Sequence, residues 1–332
     1  MRSSALDIIR VLAIYLVIVV HFFDVSLLST QYFGVELILF GVAKTCVPLF
    51  LLMSGGLLLG KKEDPKVFAK KRIKNLVLPW FAWSSLIIII SILFYSIPFE
   101  LELVSSTLQS YWFVLLIGCL YILTPVLRPM LQATKNAEIL YFLLLWFFAI
   151  SFLPYTLDSL AFPLHVDNGL VRQTISYLGF YVAGYYLIQR KSSLLKARFR
   201  YWLGLFSIGI AITSVQTITN FFQTGELSDL YFNYFSPGQV ITSVGLFIIL
   251  LKLFKNIEKK LNKRSSHILA VISSLSLHVY FLHEILKRFI FSNWVSQNGI
   301  QAYWNALLMS FLCLAVLLIA RQIVLLRKVS EA

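Results

Sequence analysis

Ser84-Ser85-Leu86-Ile87-Ile88-Ile89-Ile90-Ser91-Ile92-Leu93-Phe94-Tyr95-Ser96-Ile97 is the stretch that decides the fold. Its apolar residues follow one another without the period-two alternation of a strand with one wet face. It belongs to a longer run, 75–97, that reaches the roughly 17–25 residues needed to cross a bilayer. Hydrocarbon offers the backbone no hydrogen-bond partners, so such a run is expected to be a helix, which satisfies its own.

Working outward, the same texture recurs along the chain. Hydrophobic residues make up 59% of the 332 positions and charged residues 13%. A soluble domain carries about 25% charged residues, so a water-facing surface is not provided for. About ten spans are expected, at 6–28, 35–59, 75–97, 111–130, 139–153, 172–189, 202–222, 234–256, 268–291 and 303–326. The first is too long for a cleaved signal peptide, lacks a small-residue cleavage site and carries a histidine. The connections are short, so a single membrane domain over 1–332 is expected, with no appended soluble domain. The fold class is an all-α membrane protein, a polytopic bundle of transmembrane helices.

The net charge of +14 is distributed as a topology signal. Lys61, Lys62, Lys66, Lys70, Lys71, Arg72 and Lys74 follow the second span. Arg128 and Lys135 follow the fourth, Arg190 to Arg200 the sixth, and Lys252 to Arg264 the eighth. The alternate loops, 29–34, 98–110, 154–171, 223–236 and 292–302, contain no Lys or Arg. Positive charge prefers cytoplasmic loops, so both termini are expected in the cytoplasm. Trp80, Trp112, Trp202, Trp294 and Trp304 fall near expected span ends, where amphipathic rings favour the interface. The basic loops thus set topology and meet anionic lipid rather than nucleic acid. No phosphate-binding G-x-x-x-x-G-K-[ST] loop is present. Cys46, Cys119 and Cys313 lie within spans without metal-ligand spacing and read as packing residues.

Five basic residues escape the topology rule: Arg10, Lys44, Arg172, Lys287 and Arg288. Charge inside a membrane costs several kcal/mol and marks a functional candidate. Span one holds Asp7, Arg10, His21 and Asp24. At 100° per residue, Arg10 and His21 differ by only about 20° around the helix and are separated by about 16 Å along it. Asp24 falls on roughly the same stripe and can hold the imidazole in one tautomer; its ordinary reading is the outer end of the span. Arg10 likewise has an ordinary reading, snorkelling beside Asp7. In span two, Lys44 is an intramembrane cation and Pro48 can kink the helix. Ser54-Gly55-Gly56 then permits close helix approach. Span nine carries Ser276, His278, His283, Glu284, Lys287 and Arg288. His283 and Lys287 share a face. His278 and His283 are five apart and diverge, which does not suit the i, i+4 spacing of metal ligands on one helix, and no metal is expected.

Taken in order, these residues resemble the membrane-bound acyltransferase-3 family along almost the whole chain. The family's first span has an arginine, ten residues and a histidine, here Arg10 and His21. Its second has a basic residue before V-P-L-F and then S-G, here Lys44, Val47-Pro48-Leu49-Phe50 and Ser54-Gly55. Arg72 with Pro79-Trp80, Trp112-Phe113 with Tyr121 and Pro125, Tyr177-Leu178-Gly179-Phe180-Tyr181 with Gly184-Tyr185, and Ser276, Tyr280 and His283 are similar to later family motifs. The chain departs from the pattern at Ser110-Tyr111 before Trp112, at Gly56, at His278 and in having Lys44 for arginine. Within the family it is most similar to single-domain bacterial surface-polysaccharide O-acetyltransferases, of the enterobacterial common antigen type.

The resemblance implies a multi-pass protein of the bacterial plasma membrane. It would move an acyl group, usually acetyl from cytoplasmic acetyl-CoA, to a hydroxyl of a cell-surface or lipid-linked glycan. No tightly bound cofactor is implied. The partners would be acyl-CoA, the glycan, membrane lipids and polysaccharide-biosynthesis proteins. Arg10 is then expected to meet the anionic part of CoA. His21 is expected either to take the hydroxyl proton or to accept the acyl group first. Lys44 would stabilise the oxyanion. Asp24, Ser54, Trp112, His283 and Glu284 are supporting candidates. A transporter or flippase for a small solute or lipid-linked sugar is the second reading, since intramembrane charges and broken helices suit it equally. The lack of a strong internal repeat favours the enzyme.

Overall fold

A computed structural model of the chain describes residues 3–23, 33–159, 169–225, 227, 229–294, 296 and 298–330. Among them there is no strand. The helices, in chain order, are α1 (Ser4–Phe22), α2 (Phe33–Ala43), α3 (Cys46–Leu58), α4 (Pro65–Arg72), α5 (Leu78–Tyr95), α6 (Leu101–Ser110), α7 (Trp112–Ala133) and α8 (Asn136–Trp146). They continue with α9 (Leu153–Ser159), α10 (Leu170–Gln189), α11 (Lys191–Lys196), α12 (Phe199–Thr224), α13 (Pro237–Glu258), α14 (Lys263–Ser274), α15 (Ser276–Phe289) and α16 (Gly299–Ser330). Short π-helical segments, Ile73–Val77 and Phe147–Phe152, precede α5 and α9. Each lies just before a proline, Pro79 or Pro154, which has no N–H to give the carbonyl four residues back.

Every expected span has a helical counterpart, but the count changes. Eight segments among the described residues are long and apolar enough to cross a membrane, and a ninth is the pair α14–α15, bent by 50°. The counterpart of the sixth expected span, α10, is helical over 20 residues but does not reach that mark. Arg172, Gln173, Gln189 and its tyrosines dilute the apolar run. The short fifth span extends to Asn136–Thr156. The 98–110 segment, expected as a loop, contains α6.

Two spans are broken where sequence shows one run. Pro48 sits in the first turn of α3, where a missing N–H costs little, and the break falls just before it, at Lys44-Thr45. The α14–α15 bend falls at Leu275, beside Ser274, whose hydroxyl donates back to the Val271 carbonyl at 2.7 Å. Such back-bonding bends helices.

The chain divides into two compact units, one of residues 1–53, 146–164 and 190–332, the other of residues 54–145 and 165–189. In the first, α1 is the central element and packs against α2, α13, α14, α15 and α16. Ala5, Ile9, Ala13, Ile18 and Val19 on α1 are fully buried. α12 and α13 meet backbone to backbone. A methyl on Gly209 would lie 2.6 Å from the Gly238 carbonyl oxygen, so these positions have to stay without a side chain.

In the second unit, α3 and α10 approach so closely that a methyl on Gly55 would overlap the Tyr181 carbonyl. The Ser54-Gly55-Gly56 stretch is therefore a packing seam here. Asp64 caps α4 by accepting from the Lys66 and Val67 N–H groups at 2.9 and 3.1 Å, with Pro65 at the first helical position. Arg128, read from sequence as a loop charge, is instead buried inside α7. Its guanidinium donates to the Leu58 carbonyl at 2.9 Å and the Glu63 carbonyl at 3.2 Å, and lies 3.5 Å from the Glu63 carboxylate and 4.5 Å from the Phe68 ring centre. Its length let it reach inward and tie the α3–α4 connection to α7.

Candidate functional site

The α1 helix carries Arg10 in its second turn and His21 in its last, about three turns apart as the spacing predicts. Near the first end, Arg10 lies 3.7 Å from the Asp7 carboxylate and donates to the Ser273 hydroxyl at 3.2 Å. Ser273 in turn donates to Asp7 at 2.7 Å. Asp7 is buried, while the Arg10 side chain keeps 30% of its exposure and has surface left for an anion. The ordinary reading of Arg10, a partner for Asp7, holds in this geometry, with the side chain still part-exposed.

His21 occupies the last turn of α1. There it meets α15. The His21 and His283 rings lie 5.0 Å apart and tilted by 54°. His283 is 1% exposed, and its Nδ1 lies 3.2 Å from the Val279 carbonyl oxygen. An atom facing a carbonyl has to carry the proton, so Nδ1 is the donor and Nε2 keeps the lone pair. That buried Nε2 has no hydrogen-bond partner among the described residues. Glu284 follows on the same helix. One ligand atom from each of His21, His283 and Glu284 lies within 4.8 Å of the other two.

Lys287 completes the cluster. Its ammonium donates to the His21 carbonyl oxygen, one of the unpaired carbonyls at the end of α1. A cation here also answers the negative end of the helix dipole. Lys287 was one of the five basic residues that topology did not explain, and its shared face with His283 was the other sign of its place. Glu284 and Lys287, three apart, share a side of α15.

Lys44 lies at the α2–α3 break, 3.5 Å from Asp229 and over the rings of Phe40 and Tyr234 at 5.0 and 5.7 Å. Phe40 packs on Phe23, two residues after His21, with ring centres 4.8 Å apart. Lys44 thus reaches the end of α1 through Phe40 and Phe23, and Lys287 through the His21 carbonyl. Arg10, His21, Lys44, His283 and Glu284 all belong to the first unit. Ser54 and Trp112 belong to the second, where Trp112 lies 6.0 Å from Tyr177. Asp24 lies outside the described residues.

The family model described as an acyltransferase domain matches residues 3–322. The chain belongs to the acyltransferase-3 family. Neither a curated protein nor a solved structure matches it. Membership supports acyl transfer as its reaction, and the apolar helices make this acyltransferase a multi-pass membrane protein. The convergence of His21 with α15 is what sequence reasoning left out, since nothing in either helix announces the other.

Proposed function

We propose that the protein moves an acetyl group from acetyl-CoA to a hydroxyl of a cell-surface or lipid-linked glycan, in a bacterial plasma membrane with both chain termini in the cytoplasm. The observation that carries this reading is the His21–His283 pair, at the far end of α1 from Arg10, in a chain matched by an acyltransferase family. A glycan hydroxyl is a poor nucleophile until a base takes its proton. His21 is that base, or the first acceptor of the acyl group. Arg10 meets the anionic part of CoA. The rise of the helix between them, about 16 Å, suits an extended pantetheine arm lying along α1.

As the carbonyl carbon is attacked, negative charge builds on its oxygen. Lys44 and Lys287 supply positive charge near His21 within an apolar surround, where such stabilisation is strong. Lys287 also fixes the end of α1 by binding the His21 carbonyl, which holds the imidazole in place. His283 and Glu284 support the imidazole and its proton. That the acceptor is a glycan hydroxyl and the donor acetyl-CoA is what the family resemblance implies.

Membrane vesicles given radiolabelled acetyl-CoA test the reading. Wild-type vesicles are expected to move label into the lipid-linked glycan fraction. Vesicles with His21→Ala at equal protein abundance are expected to leave it on CoA. Equal labelling in the two would remove His21 from the chemistry.

A further inference from the structure

The cluster at the end of α1 has a second property that base catalysis does not call on: its donor set. Two imidazoles and a carboxylate from two helices place one ligand atom each within 4.8 Å of the others. Two histidines and one glutamate are the ligands of one class of open zinc site, with the fourth position left for water. The tautomer of His283 is already the required one. Metal-bound histidines almost always donate their other ring N–H to a carboxylate, backbone carbonyl or water, and His283 Nδ1 faces the Val279 carbonyl at 3.2 Å. Its Nε2, buried and unpartnered among the described residues, is the second and independent sign. A lone pair held in that state lacks only an acceptor of electron density.

We propose that His21, His283 and Glu284 bind a divalent transition metal, zinc by preference, and that the bound metal excludes acyl transfer. Zinc bonds of about 2.0–2.2 Å to these ligand types put donor atoms about 3.3–3.6 Å apart. The cluster therefore has to close by up to about 1.5 Å on binding, by side-chain rotation of the three ligands. Lys287 stands beside the cluster, but its ammonium is committed to the His21 carbonyl. Its charge opposes a dication and keeps the affinity modest. Metal and substrate compete for the same lone pair on His21, so the ion acts as an inhibitor rather than a cofactor. This exclusion rests on the proposed role of His21 in acyl transfer; the binding itself does not.

The test uses the full-length protein in nanodiscs, stripped with a chelator and titrated with Co²⁺, whose visible absorption reports tetrahedral nitrogen and oxygen ligation. Wild type is expected to take up one Co²⁺ per chain and to lose the absorption on adding Zn²⁺. His283→Gln and Glu284→Gln are each expected to weaken uptake at least about tenfold. His267→Gln, at an exposed position on α14, is expected to leave it intact. Thermal unfolding of each variant checks that it is folded. Absent Co²⁺ absorption in wild type, or equal uptake in folded His283→Gln and Glu284→Gln, overturns the site. Acyl transfer is measured on the same samples. Uptake of Zn²⁺ without loss of transfer overturns the exclusion. Uptake of metal by a protein that shows no transfer even when stripped leaves the metal site standing and removes the enzymatic reading instead.

Discussion

Two buried polar clusters, one in each unit, show opposite ways of holding polar groups in an apolar environment. In the second unit, Arg128 spends its guanidinium on the Leu58 carbonyl, the Glu63 carbonyl and carboxylate, and the Phe68 ring. In the first, His283 keeps a buried Nε2 with no partner among the described residues, next to His21 and Glu284. A satisfied buried group holds structure together, whereas an unsatisfied lone pair beside other ligand atoms is costly and is open to a proton or a ligand. Arg128 thus has its partners in place, whereas the His283 Nε2 can still take one.

The contrast can be broken by exchanging the expected consequences. The largest effect is expected at His21: replacement by alanine should lower the acyl-transfer rate by about 10²–10⁴-fold while thermal unfolding of the purified protein changes little. Arg128→Ala should do the reverse. It takes the donor from the Leu58 and Glu63 carbonyls, while Lys71 stays on the Glu63 carboxylate, and a loss of about 1–3 kcal/mol of stability is expected, read as a lowered unfolding temperature in detergent. A folded, fully stable Arg128→Ala protein with lost transfer would mean that the anchor is itself part of the site. Of similar size, Gly55→Ala pushes a methyl into the Tyr181 backbone and should cost about 1–3 kcal/mol by the same assay. Arg10→Ala should raise the KM for acyl-CoA about tenfold or more, the scale of one hydrogen bond to a charged group, with a smaller change in kcat.

The smallest expected effect is a pH dependence. The hydrogen bond from Lys71, with Arg128 beside it, holds the Glu63 carboxyl below the usual carboxylate range. A depressed folded value means that its stabilisation is complete at neutral pH and is lost as pH falls through that range, below about 4.3. Glu63→Gln should therefore flatten the acid side of the stability curve and leave the alkaline side unchanged, which unfolding temperatures measured across pH will show.

How far the sequence could be read follows from the range of the forces involved. Helical spans were legible because each is a local run of apolar residues. The stripe of Arg10 and His21 was legible because both sit on one helix with a fixed turn. The π-helical segments before Pro79 and Pro154 went unread. The break at Lys44-Thr45 was misplaced at Pro48, because proline at a helix start looks the same in sequence as proline inside one. Arg128 was read as a loop charge since its partners at Leu58 and Glu63 come from another part of the chain. The meeting of His21 with His283 was illegible for the same reason, and so was the capping of α1 by Lys287. Spacing on one helix pairs His283 with His278, whereas its neighbours in space are Glu284 and, from a distant part of the chain, His21.

The most direct measurement of the central claim, that the end of α1 carries out acyl transfer, is mass spectrometry of O-acyl groups on the host's surface polysaccharide. Wild type, a deletion strain and a His21→Ala strain at matched membrane abundance would be compared. The expected result is loss of the same acyl mass from the deletion and His21→Ala strains, with polymer still reaching the surface. Unchanged acylation in both, together with polymer or solute that fails to cross the membrane, would contradict the claim and make the protein a transporter.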